Sequence, residues 1–190
     1  MLSTARVSPV DRREQIMATA AVLFARDGYH GVSVNDLGAA CGITGPAIYK
    51  HFRGKQAILS TMLLSISDEL LSEGRRRVRE ATDDKQALEA LVDWHVTFAL
   101  NNQAIIVVQD RDWSALPVES REKVRDTQRK YVEIWVKVLR ALHDGLAPKP
   151  ARAMAHAAFG LINSTPHSAL LPEDQMHPVL VRMALGALLA

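Results

Sequence analysis

The sequence predicts an all-α protein: an N-terminal three-helix domain over residues 8–54, followed by a larger helical body over 55–190. Three observations lead there. Apolar residues recur at helical spacing along the chain. No sustained apolar–polar alternation bounded by hairpin turns marks a strand. Glycine and proline cut the chain into helix-length pieces, at Gly28, Gly31, Gly42, Gly54, Pro117, Gly145 with Pro148 and Pro150, and Pro166.

The first helix begins with Ser8 as N-cap, Pro9 at the first helical position and Asp11 in the first turn, where an acid favours the positive end of the dipole. Ile16, Ala20, Leu23 and Phe24 form one buried face, and Asp27-Gly28 ends it. Ser33 caps a short second helix, with Asp36 in its first turn and Val34, Leu37 and Ala40 turned inward. Cys41-Gly42-Ile43 makes a sharp turn, because Gly42 has no Cβ and can take positive φ. A third helix runs from Thr44, as N-cap, to about Phe52, with Pro46 early enough to cost little. After Gly54 comes a long helix to about Ala81, carrying Ile58, Met62, Ile66 and Leu70 at four-residue spacing. Further helices are expected at 84–101, 103–115, 118–144, 149–164 and 174–189.

Composition is ordinary for a globular protein, at 48% hydrophobic and 23% charged, and the net charge is only +2. Its distribution is more informative. Residues 1–60 hold seven Lys/Arg against four Asp/Glu, a net of +3, which leaves −1 for the rest. Cys41 is the only cysteine, so neither an internal disulfide nor a thiolate zinc site can form, and Cys41 reads as a small core residue. No apolar leader and no run of eighteen apolar residues is present, so a cytoplasmic protein off the membrane is expected. No nucleophile–base pair, Gly-rich phosphate loop or paired-carboxylate signature argues for an enzyme. His95 and His156 lack a partner ligand one turn away, so no metal and no cofactor is expected.

The run from Gly42 to Lys55 carries the strongest signal. Tyr49, Lys50, His51, Arg53 and Lys55 are all donors, and no acid occurs from Ile43 to Ile58. Such a surface suits a polyanion, and DNA is the leading partner. Arg75, Arg76, Arg77 and Arg79 crowd the end of the fourth helix, where cations complement the dipole; an anion site is the alternative. In the body, Trp94 with Phe98 and Tyr131 with Trp135 share helical faces, and Trp113 stands between them in sequence. These five, with the polar Gln109 and Asn163, are the candidate lining of a ligand cavity. Asn101, Asn102, Asp110, His95, His156 and Phe159 are further candidates.

Residues 10–60 resemble the TetR family of bacterial transcriptional regulators. The shared elements, in order, are Arg13-Glu14-Gln15-Ile16, Leu23-Phe24, Gly28-Tyr29, Val32-Ser33-Val34, Leu37, Gly42-Ile43-Thr44, Ile48-Tyr49, His51-Phe52 and Lys55. Val107-Val108-Gln109-Asp110 and Tyr131-Val132-Glu133-Ile134-Trp135 look like segments of actinobacterial members that sense acyl-CoA thioesters. The resemblance implies a homodimer that sets two recognition helices into successive major grooves of a near-palindromic operator. It implies dimerisation through the helices near 149–164 and 174–189, whose faces are Ala153, Ala157, Phe159, Gly160 and Ile162, then Val179, Leu180, Met183, Leu185 and Leu188.

Tyr49, His51 and Lys55 fall at family positions that grip phosphates, with Lys50 and Arg53 as further anchors. Base readout falls to Thr44, Gly45, Pro46 and Ala47 at the start of the recognition helix, to Asn35 on the helix before it, and to Lys50 for guanine. The expected function is a repressor released from DNA when a small apolar or acyl-CoA-type effector enters the body and the helix near 55–81 moves as a lever. A helical enzyme and an effector-free architectural DNA binder are the alternatives.

Overall fold

Among the described residues, every regular element is helical. The computed structural model describes residues 9–168 and 170–190, with side chains from Arg12 onward. Ser8, the expected first cap, and the Asp11 side chain lie outside the described residues. The order is α1 (Pro9–Asp27), α2 (Val34–Ala40), α3 (Gly45–Ile48), α4 (Lys55–Glu80), α5 (Asp84–Asn101) and α6 (Gln103–Asp112). A 3-10 turn (Trp113–Ala115), α7 (Val118–Leu142), α8 (Pro148–Ile162), α9 (Thr165–Ser168) and α10 (Glu173–Leu188) complete it.

The start of α2 follows its local signal. Asp36 N donates to Ser33 Oγ at 3.1 Å, and Ser33 N donates back to Asp36 Oδ2 at 2.8 Å, a reciprocal cap. Those hydrogen bonds, the Ser33 hydroxyl first, hold the Asp36 carboxyl below the usual range. Gly42 takes φ +67° at the turn.

Three local expectations are corrected. Ala40 is exposed, and Gly38 is buried in its place. A Cβ on Gly38 would stand 2.7 Å from Gly45 N and 2.8 Å from Thr44 C, so α2 meets the start of α3 backbone to backbone. Thr44 has N-cap geometry, but its hydroxyl makes no capping bond. The third helix is regular only to Ile48; beyond it, Lys50 N reaches Ala47 O at 3.2 Å and His51 N reaches Ile48 O at 2.9 Å, the tighter three-residue bonding of a fraying end.

Two cores form. The first gathers Ile16, Ala20, Phe24, Leu37, Cys41, Ile48 and Phe52, closed by Ile58, Leu59, Met62 and Leu63 of α4 and by Val108, Leu116 and Val124. The second lies among α4, α5, α7, α8 and α10 around the fully buried Leu88, Leu91, Trp135 and Leu139. α4 therefore serves both cores, and α6 joins them. Arg111 donates from Nη1 to Ala25 O at 3.1 Å and from Nη2 to Phe24 O, while Asp112 Oδ2 accepts from Tyr29 N at 3.3 Å.

Candidate functional site: a recognition helix and a body cavity

The exposed edge of the first core presents the sequence-predicted DNA residues unequally. Tyr49 is 59% exposed, and Lys50 and Arg53 are exposed beside it, on the turn that follows α3. His51 is half-buried, and its carbonyl accepts a hydrogen bond from Arg13, whose guanidinium lies 4.1 Å from the Phe52 ring centre. Lys55 is tied inward: Nζ donates to Tyr29 O at 2.6 Å and Val32 O at 2.7 Å, and stands 4.3 Å from the Tyr29 ring centre. An ammonium has three donors, so one is left for a phosphate.

Thr44, Pro46 and Asn35 are exposed at the start of the recognition helix, with Ala47 half-buried. Gly45 is buried under Asn35: a Cβ there would collide with Asn35 Oδ1 and stand 3.2 Å from Asn35 Cα. The absence of a side chain at 45 thus sets where the Asn35 carboxamide lies.

In the body, α4, α5, α6, α7 and α8 border a partly open cavity of about 230 Å³. Of the expected lining, Phe98, Gln109, Tyr131 and Asn163 are present. The three tryptophans are not, a correction: each packs elsewhere. Trp135 is fully buried behind the lining, edge-on to Phe159 at 4.9 Å and to His95 at 5.9 Å. Trp94 packs under the Arg77 guanidinium at 5.0 Å, and Trp113 lies in the 3-10 turn, 5.4 Å from that of Arg125. Asn101 and Asn102 cap α5, donating to Thr97 O and Phe98 O at 2.9 Å.

The lining also holds His95, His156, Phe159 and Asp110, together with Gln128, which sequence spacing did not single out. Gln128 Nε2 donates to Gln109 Oε1 at 2.9 Å, a link between α7 and α6 that no local pattern marks. His95 is the polar centre. Its ring stacks on Phe159 at 4.6 Å and Tyr131 at 5.7 Å, and its nitrogens meet Tyr131 Oη at 3.1 Å and Asn163 Oδ1 at 3.2 Å. Burial lowers the His95 pKa to about 4, so the ring is neutral at neutral pH. Burial likewise raises that of the Tyr131 phenol.

The arginine run divides. Arg76 pairs with Glu73 and Glu80 at 2.7 and 2.6 Å. Arg75 and Arg79 face an open groove between α4 and α7 with Arg129, Lys130 and Lys137. The expected dimer face divides too. Ile162, Leu180 and Leu188 are buried within this chain, a correction to the expectation that whole faces of these helices meet a partner. Phe159 turns to the cavity, and Val179 and Leu185 are half-buried. Ala153, Ala157, Gly160 and Met183, the last 51% exposed, remain outward.

Residues 16–62 match the family model for bacterial regulatory proteins of the tetR family, and residues 81–167 match that for the tetracyclin repressor-like C-terminal domain. The chain belongs to the TetR family. The HTH-type transcriptional repressor KstR2 of Rhodococcus jostii is 28% identical over 131 residues, covering 68% of this chain and 64% of that repressor, so the chain spans just under two thirds of its length. A TetR-family transcriptional regulator from Bordetella parapertussis superposes with a TM-score of 0.80 at 26% identity, over 91% of this chain and 93% of its own. AibR, solved with isovaleryl coenzyme A and operator DNA, shares the fold at a TM-score of 0.73 and 20% identity, over 90% of this chain and 97% of its own. TetR-family members are transcriptional regulators rather than enzymes, and among the described residues no helix is long and apolar enough to cross a membrane.

Proposed function

We propose that this TetR-family regulator is a cytoplasmic, homodimeric repressor with a DNA-reading head over residues 8–54 and a sensing and dimerising body over 55–190. It leaves a near-palindromic operator when a small apolar or acyl-CoA-type effector fills the cavity. One observation carries the coupling: α6 lines the cavity through Ile105, Ile106, Gln109 and Asp110, and its next two residues, Arg111 and Asp112, grip the end of α1. α4 adds a second route, with Ile66 and Leu70 in the lining and Lys55 at the head. An effector that moves either helix misplaces both recognition helices, which must stand about 34 Å apart. Weakening DNA binding a hundredfold takes an affinity difference of about 2.7 kcal/mol between the two states.

On the DNA, Tyr49, Lys50, His51 and Arg53 hold phosphates, with the remaining donor of Lys55. Asn35, Thr44, Pro46 and Ala47 face base edges, Lys50 reaches guanine, and Gly45 acts by placing Asn35. The outward Ala153, Ala157 and Gly160 of α8 and Met183 of α10 form the dimer face. Nothing stands within 4 Å of a Cβ built at Gly160 or at Gly186, so a partner helix can approach closely there.

The AibR complex, with an acyl-CoA and operator DNA on the same fold, supports this reading. Fluorescence anisotropy of the purified dimer on a duplex from its own promoter region, at moderate salt and against unrelated competitor, tests it. Specific binding in the range of about 10⁻⁸ M or tighter is expected. Binding without sequence preference would return the architectural alternative, and no binding overturns the proposal.

A further inference from the structure

The lining of the cavity narrows the class of effector, an inference that rests on the regulator reading above. Among the described residues no Lys or Arg borders the cavity, and its ionisable side chains other than the buried His95 and Tyr131 are Asp110 and His156, both exposed at its edge. An effector carboxylate or phosphate buried in its interior, away from that edge, would lose its hydration without a fixed cation beside it, a heavy penalty. The cations Arg75, Arg79 and Lys137 line the separate groove instead.

The neutral donors are fixed in direction. A neutral imidazole carries one N–H. The Asn163 oxygen faces His95 Nε2 and can only accept, so the neutral ring keeps its proton there, and Nδ1 accepts from the Tyr131 hydroxyl at 3.1 Å. The ring proton is then on Nε2 and is donated to Asn163 Oδ1 at 3.2 Å. With its oxygen engaged, the Asn163 carboxamide offers its NH2 group to the cavity it lines. The Gln128 to Gln109 bond engages the Gln109 oxygen in the same way and frees a second NH2. Two immobilised amides, Asn163 after α8 and Gln109 on α6, therefore offer donors beside the aliphatic wall of Ile66, Leu70, Ile106 and Val132.

We infer that this cavity takes a small uncharged molecule, an apolar chain bearing a carbonyl oxygen that accepts from Asn163 Nδ2. A carboxylate of the same length has the same acceptors but carries a charge that no Lys or Arg in the lining balances.

Calorimetric titration of the full-length protein, without DNA, compares 2-nonanone with octanoate, a pair matched in size. The ketone is expected to bind at least about tenfold more tightly, and Asn163→Leu to lower its affinity by about tenfold. Asn163→Asp keeps the side-chain shape without the donors, and should lower it by as much, which separates lost hydrogen bonding from altered packing. Octanoate binding as tightly as the ketone, either variant keeping the wild-type ketone affinity, or neither probe binding at all would overturn the inference. Operator binding is measured apart from this titration, so failure of the effector class and failure of the regulator reading give different results.

Discussion

Backbone meets backbone at the recognition turn, whereas side chains border a cavity in the body. At Gly38 and Gly45, α2 and α3 approach so closely that a single methyl has no room. Around His95, stacked rings, an imidazole–amide bond and one amide pair line a cavity. The first arrangement has one solution and tolerates no added atom. The second is held by long-range side-chain contacts and can be retuned without disturbing the backbone. A regulator of this design keeps its reading geometry constant while its sensing chemistry drifts.

The largest effect that would sharpen this contrast is a pH dependence confined to the body. The folded His95 has a pKa near 4 against an ordinary 6.5, so the unfolded state binds the proton more readily. Its contribution is fully present above about pH 6.5 and is lost as pH falls toward 4, by up to about 3 kcal/mol at 1.36 kcal/mol per unit. Urea unfolding at pH 7 and at pH 4.5 should show that loss, and His95→Phe should flatten it; an unchanged pH profile in the variant would remove His95 as the cause.

Next in size is Gly38→Ala, which forces a methyl against backbone atoms that cannot turn aside. A loss of about 2 kcal/mol in thermal unfolding is expected, with operator binding impaired as the turn shifts. Wild-type stability in this variant would break the comparison from the other side.

The smallest effects separate two residues at the head. Lys55→Ala removes two charge-assisted bonds to Tyr29 O and Val32 O and should cost about 1.5 kcal/mol of stability. Tyr49→Phe, at an exposed hydroxyl, should leave stability within about 0.5 kcal/mol yet weaken binding to every DNA sequence and reduce its salt dependence. Paired melting and anisotropy measurements on the two variants would show whether the inward and outward residues divide in this way.

The head was legible because its signals are local. Ser33 with Asp36, Gly42 at its turn and the apolar face of Ile16, Ala20 and Phe24 each depend on residues a few positions apart. What the head hid was set at a distance. Lys55 read as a free charge because Tyr29 O and Val32 O, 26 and 23 residues earlier, leave no spacing signal. The cavity was legible only in part for the same reason. Phe98, Tyr131, Gln109 and Asn163 stood out as aromatic or polar residues on helices, but His95 meets Asn163 across 68 residues and Gln109 meets Gln128 across 19. The tryptophans misled because side-chain volume attracts notice in a sequence, whereas a cavity is bounded by what stops short of it.

The shared first core has a consequence for exchange between relatives. Ile58, Leu59, Met62, Leu63, Val108, Leu116 and Val124 close the hydrophobic interior that α1, α2 and α3 begin. A chimera joined at the 54/55 boundary would hand a transplanted reading head a roof shaped for another sequence. Recombination at that seam should be punished unless these seven side chains travel with the head. New operator preferences are then reached more readily by substituting surface residues such as Asn35 and Thr44 than by trading modules, and the head and body of one chain are bound to evolve as a matched pair.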